Sequence, residues 1–281
     1  MSLPAQNPVI QPHAFLRRLW RRFWTIRGHL SRKEFLLFAV LGMLVPFAGW
    51  WLLANSGIMD KVFLPSPMDV VARVYHWFED DDLVGDAWIS IYRVTVGFLL
   101  SAVIAVPLGI MIGTYRPIQA IFEPLTDFIR YMPAVAFIPL VMLWVGIDEG
   151  SKIAIIWIGT FFQMVLMVAE DIRRVPMAQI EAAQTMGAGD EEIVSLVIFQ
   201  SAKPALLDTL RITMGWAWTY LVVAEMVAAN SGLGYAILKA QRFLQTDKIF
   251  AGIILIGLIG LIMDQLFRLA HRKSFPWLYK K

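Results

Sequence analysis

Residues 35–59 contain no Asp, Glu, Lys or Arg, and further windows free of these residues follow at 94–115, 131–147, 153–169, 212–224 and 249–263. A helix rises about 1.5 Å per residue, so crossing about 30 Å of hydrocarbon takes about 20 predominantly apolar residues. Stretches of this kind, repeated along a chain of 281 residues, exceed what one soluble core can bury. Composition agrees: 58% of the residues are hydrophobic and 17% charged, against about 45–50% and about 25% in soluble domains. A simple soluble enzyme and a single-anchor protein are both excluded. No polar stretch is long enough to fold as a large separate domain. The expected fold class is all-α and polytopic, with about six transmembrane helices.

The spans are expected from Phe35 to about Ile58, from about Ile91 to Gly113, over 120–147, from Ile153 to about Ala169, from about Ile212 to Ala229, and from Ile249 to about Leu269. The third carries Glu123, Asp127 and Arg130 early and Pro133 and Pro139 later, which predicts a long or broken helix. Pro65 and Pro67 leave Ser66 as a helix cap, and a short amphipathic surface helix should follow, ending in the acidic run Glu79 to Asp82. Residues 170–210 and 235–248 read as polar connections. Ahead of the first span, seven Lys/Arg lie between Arg17 and Lys33, while Phe15, Leu19, Trp20, Phe23 and Trp24 share one helical face. That pattern fits an amphipathic helix on an anionic leaflet. With the N-terminus inside, segments 1–34, 114–119, 170–211 and 268–281 hold 17 of the 25 Lys/Arg, which places both termini in the cytoplasm. The expected organisation is a cytoplasmic basic amphipathic segment 1–34, a transmembrane domain 35–270, and a cytoplasmic basic tail 271–281. The acidic run then falls outside, where it can steer a docking partner.

Catalytic signatures are missing. Cysteine is absent, and His13, His29, His76 and His271 are scattered, so no metal-ligand spacing is present. There is no G-x-x-x-x-G-K-[ST] phosphate loop, no H-E-x-x-H and no G-x-S-x-G. The chain is expected not to be an enzyme and to bind no cofactor or metal itself. The net charge of +3 reflects Lys/Arg on the cytoplasmic side rather than nucleic-acid binding.

The segment EAAQTMGAGDEEIVSLVIFQSAKP, Glu181 to Pro204, is the informative one. A short helix with small residues should begin at Glu181, Ala182 and Ala183, break at Gly187 and Gly189, and resume with Asp190 as cap and Ile193, Leu196 and Val197 at helical spacing. The pattern resembles the EAA loop of bacterial ABC-importer permeases: E-A-A, three residues, G, nine residues, then I-x-L-P. Glu181, Ala182, Ala183 and Gly187 match, while Val197, Phe199 and Gln200 replace the later Ile, Leu and Pro. Together with FLPSP at 63–67, PLGIMIG at 107–113, VVAEM at 222–226, SGLGY at 231–235 and FLQTDKIFAGI at 243–253, the chain is similar to the nitrate/sulfonate/taurine/bicarbonate group of these permeases from about residue 60 onward. The resemblance implies a type I importer (MetI-like) fold and a bacterial inner-membrane location. It further implies a coupling loop over 173–205, a second copy of the chain, two cytoplasmic ATPases that bind ATP and Mg, and an external binding protein. The implied function is the translocation pathway for a small anion. A neutral heterocycle such as a vitamin precursor is the alternative cargo. A secondary transporter or channel is the rival class, for which repeated halves would be expected.

On this resemblance the ATPase-coupling residues are Glu181, Ala182, Ala183, Gly187, Ile193 and Val197. Candidate pathway-lining residues are Arg130, Tyr131, Thr160, Gln163, Trp216, Trp218, Thr219 and Glu225, the polar and aromatic groups of the spans. Each has a structural alternative. Glu225 can pair with Arg93 or with backbone N–H groups near the outer end of its helix, Arg130 can pair with Asp127 three residues earlier, and the aromatics can simply pack. Asp264 and Arg268, four residues apart, read as a local pair.

Overall fold

The computed structural model describes residues 24–26, 28 and 30–279. The amphipathic helix expected around Phe15 to Trp24 lies almost wholly outside the described residues, as do Lys280 and Lys281. The chain divides into one unit up to Met59 and a second from Asp60 onward.

The first unit contains α1 (Arg32–Asn55). Ser31 caps it reciprocally with Glu34: the Ser31 N–H donates to Glu34 Oε2 at 2.8 Å and the Glu34 N–H to Ser31 Oγ at 3.3 Å. Apolar residues cover all its faces, which marks a helix made for lipid rather than for one side of a soluble core.

The second unit is a helical bundle. The helix α2 (Pro67–Asp80) starts at a Ser66–Asp69 capping box with Pro67 in its first turn, as the Pro-Ser-Pro spacing predicts. The acidic run at its end is tied into the fold. Lys248 Nζ donates to Asp81 Oδ2 at 2.5 Å, Asp82 Oδ1 accepts from the Gly85 N–H at 2.9 Å, and His76 lies 3.4 Å from Asp80. Arg73 adds a 2.7 Å bond to Asp247. Two of these pairs, Asp81–Lys248 and Arg73–Asp247, tie α2 and its end to the start of the last long helix, while Glu79 to Asp82 remain exposed.

The helix α3 (Leu83–Thr114) has 32 residues, well beyond its charge-free window. It runs parallel to α6 (Glu149–Arg173) along a stripe of small residues at every fourth position: Gly97, Ser101, Ala105, Gly109 and Gly113. A Cβ on Gly97 would lie 2.8 Å from Ile156, one on Gly109 2.6 Å from Val168, and one on Gly113 2.6 Å from Ile172. Ser101 uses its hydroxyl across the same seam, 2.7 Å from Thr160 Oγ1. Small residues at this spacing bring two backbones close, which is how helices associate where lipid offers no hydrophobic drive.

Between them the chain returns through α4 (Arg116–Arg130), a 3₁₀ turn at Ala134–Phe137 and α5 (Ile138–Val145). The two halves are bent by 88° at the break; five other described helices are each long and apolar enough to cross a membrane, and this pair makes a sixth span only if its halves count as one. After α6 come α7 (Met177–Thr185), α8 (Asp190–Glu192), a π-helical turn Ile193–Ile198 and α9 (Phe199–Ala228). From Asp190 to Val227 the helix is continuous. The connection expected over 170–210 is therefore mostly helix. Its charges are accommodated locally, with Arg211 3.5 Å from Asp208 and 3.7 Å from Asp264. They mark where the bundle meets water, not where the helix ends. The expected connection 235–248 likewise contains a helix, α10 (Leu233–Arg242), ahead of α11 (Thr246–Ser274). No strand occurs among the described residues. Helices α3, α6 and α9 form the core, with Ile112, Met164, Val165, Val168 and Leu221 buried between them.

Candidate functional site

Three arrangements follow from this bundle. The first is the hairpin at the α6 C-terminal end. Helix α7 stops in a Schellman turn: the Gly187 N–H donates to Gln184 O at 2.9 Å and the Ala188 N–H to Ala183 O at 3.1 Å. Gly187 has φ +85°, the left-handed conformation that a side chain disfavours. The next helix is capped by Gly189, not Asp190: the Gly189 N–H donates to Glu192 Oε2 at 3.0 Å, and Asp190 occupies the first helical position. Ala183 and Ile193 are buried in the main core cluster with Ile172 and Ile198, and Ser201 Oγ donates to Gln179 Oε1 at 2.8 Å. Val197 is half-buried, whereas Glu181, Ala182 and Gly187 are exposed. The result is a stiff knob that presents a mixed polar and apolar surface. Two apolar residues outside the expected coupling set lie on it, Met186 and Leu196, exposed at 81% and 65%. Met186 lies inside the motif's three-residue spacer. Leu196 has the spacing of a packing residue, and the π turn moves it off that face.

The second arrangement is an ion cluster at the opposite end. Arg93 is fully buried. Its Nη1 donates to Glu225 Oε1 at 2.7 Å and to Ser231 O at 2.7 Å, while Nε and Nη2 grip Glu149 at 2.6 and 2.7 Å. Lys152 Nζ reaches Glu149 at 2.8 Å. Glu225 also accepts from Ser90 Oγ at 2.8 Å and from the Gly234 N–H at 2.7 Å. Two cations and two carboxylates balance, and most of their bonds are charge-assisted. Glu225 thus makes both of its expected structural contacts, to Arg93 and to backbone. Gly232, at φ +110°, lets the chain pass over the cluster: a Cβ there would sit 2.4 Å from Glu225 Oε1.

The third is a cavity of about 220 Å³ between α4, α6 and α9. Of the candidate pathway residues, Arg130, Gln163, Trp216 and Thr219 line it together, joined by Tyr220. Thr160 is on another face of α6, bonded to Ser101. Trp218 is buried in the core, and Tyr131 is 76% exposed beside Arg130. Glu225 is in the ion cluster and does not line the cavity. Arg130 does pair with Asp127, Nε to Oδ1 at 2.9 Å, and Arg268 pairs with Asp264 at 2.7 Å. Among the described residues no group of His, Asp and Glu could hold a metal ion.

The family described as "Binding-protein-dependent transport system inner membrane component" matches residues 105–275. The chain is 36% identical over 239 residues to the putative aliphatic sulfonates transport permease protein SsuC of Bacillus subtilis, covering 84% of this chain and 87% of the relative. It is 31% identical over 256 residues to the taurine transport system permease protein TauC of Escherichia coli, covering 89% and 92%. Its fold is similar to a chain of the inward-facing MetNI methionine ABC transporter, with a TM-score of 0.57 and 24% identity over 66% of this chain and 95% of that one. With its multiple long apolar helices, the chain is a multi-pass membrane protein and belongs to the binding-protein-dependent transport system inner membrane component family of ABC permeases.

Proposed function

We propose that this chain is the pathway-forming subunit of an ATP-driven importer, working as a homodimer. Two cytoplasmic ATPases dock on the 181–197 hairpin, and an external binding protein delivers the cargo. The cargo is a small anion of the sulfonate, taurine, nitrate or bicarbonate type, and both termini are cytoplasmic. The observation that carries this reading is the hairpin: a short exposed helix braced by a Schellman turn and anchored by Ala183 and Ile193 in the main core. Coupling ATPase closure to helix tilting needs a contact that moves as a rigid piece rather than a mobile loop. The sulfonate and taurine permeases among its relatives support the cargo class.

The test is biochemical. Purified alone, the chain should hydrolyse no ATP. Co-expressed with its ATPase partner it should form a complex of two permease chains and two ATPase domains, whose hydrolysis rises with the loaded binding protein. Uptake of cargo into liposomes by the chain alone, driven by an ion gradient, would replace this reading with a secondary transporter.

A further inference from the structure

The cavity between α4, α6 and α9 has a one-sided chemistry. Arg130 is its one charged lining residue and no carboxylate lines it. The other polar lining groups, Gln163, Trp216, Thr219 and Tyr220, all carry N–H or O–H donors. Among the described residues none of these four side chains is engaged in a hydrogen bond within the chain.

Arg130 is held on one edge. Its Nε is on Asp127 and its Nη2 donates to the Tyr131 hydroxyl at 3.1 Å, with the guanidinium 4.6 Å from the Tyr131 ring centre. Nη1 is left for a ligand. Asp127 stands outside the lining and is half-exposed, so water screens its pull on the guanidinium.

Depth matters too. Gln163 lies near the middle of α6 (Glu149–Arg173), about half-way along a helix long enough to span the hydrocarbon. A cation there is costly unless it serves a cavity or a partner. The volume, about 220 Å³, is below the roughly 300–1,000 Å³ of drug-sized pockets. Gly159 maintains the space: a Cβ there would meet the Tyr220 ring at 2.4 Å, pushing the ring off α6.

We infer that this cavity is a mid-membrane station for one small anion with a sulfonate- or carboxylate-like head, Arg130 supplying the counter-charge and Gln163, Trp216, Thr219 and Tyr220 the donors. The station deepens the importer reading and rests on it, because a held anion is cargo only if the chain walls a pathway.

The chain has no cysteine, so one introduced thiol reports on the cavity alone. The experiment uses the full-length Thr219→Cys chain in nanodiscs. It compares modification by 2-sulfonatoethyl methanethiosulfonate, itself a small sulfonate, with modification by the trimethylammonioethyl analogue, both normalised to a simple thiol in solution. The anionic reagent should be favoured at least about tenfold, because the guanidinium attracts the anion and repels the cation across a few ångströms. Taurine should slow it. Arg130→Gln in the same background should abolish the preference and Arg130→Lys should retain it, which separates charge from folding. An equal normalised ratio, or reaction with neither reagent, would overturn the inference. Because the assay contains neither ATPase nor binding protein, its failure leaves the importer reading standing. Loss of ATPase association, conversely, leaves the cavity's selectivity standing.

Discussion

Arg93 on α3 and Glu225 on α9 are both fully buried and bonded at 2.7 Å. The pair sits where three long helices and the Ser231–Gly232 loop converge, and each partner is satisfied on several sides. Removing one partner strands a buried charge, which costs about 3–5 kcal/mol in proteins. Arg93→Met alone should therefore lower the thermal stability of the purified chain sharply. The Arg93→Met, Glu225→Leu double variant should recover part of the loss. A double variant as unstable as the sum of the two single ones would contradict the pairing.

The α3–α6 seam allows a graded test. Gly109→Ala places a Cβ 2.6 Å from Val168, whereas Gly215→Ala meets nothing within 4 Å. The first should cost about 1–3 kcal/mol through overpacking. The second should be neutral or slightly stabilising, since Ala is the better helix former. Fluorescence-detected size exclusion after heating reads both. Equal midpoints for the two variants would argue against the close approach.

The turn of the 181–197 hairpin should discriminate between its glycines. Gly187 has φ +85°, while Gly189 has φ −74° and a Cβ there would meet only Glu192 Oε2, at 3.9 Å. Gly187→Val should cost about 1–3 kcal/mol in local strain and impair ATPase association. Gly189→Ala should leave uptake close to normal. Equal tolerance in an uptake assay would remove the role assigned to the turn.

Acid sensitivity follows from Asp81. The hydrogen bond from Lys248 holds its carboxyl below the ordinary aspartate range. A carboxyl whose folded pKa is depressed contributes stability that is present above its unfolded value of about 3.9 and lost as pH falls through the folded one. Stability should therefore drop below about pH 4, and Asp81→Asn should flatten that limb while leaving the neutral-pH value only slightly reduced. The effect is modest, because Asp81 is 55% exposed. Thermal midpoints measured between pH 3 and pH 7 would show it, and an unchanged acid limb in Asp81→Asn would remove Asp81 from the account.

Some of these features were legible in the sequence, among them the Gly187 turn and, as one alternative, the Arg93–Glu225 pair. Charge-free windows locate the apolar stretches, so the five long helices and the bent pair were legible. They do not locate helix ends, because Lys203, Asp208 and Arg211 stay helical once their side chains reach water or partners. Short-range pairs were equally legible: Arg130 with Asp127 and Arg268 with Asp264 need only helical spacing. Which polar residues share one wall was not. Thr160 and Gln163 are three apart, yet Thr160 is spent on Ser101 across the seam while Gln163 faces the cavity. That choice depends on the rotation of α6 against α3, set by small residues whose seam partners are 59 positions away in the chain. The π turn at Ile193–Ile198 shifts the face of the hairpin's second helix by a local rewinding that spacing alone does not announce.

The central claim is that the exposed hairpin around Glu181 receives the ATPase and that this contact drives import. Glu181→Lys reverses a charge on an exposed residue, so the chain should still insert and run as a monodisperse protein. The decisive measurement is the amount of ATPase co-purifying per permease chain, taken together with substrate uptake. The account predicts that both fall severalfold below wild type. ATPase retained at the wild-type ratio with normal uptake would contradict it.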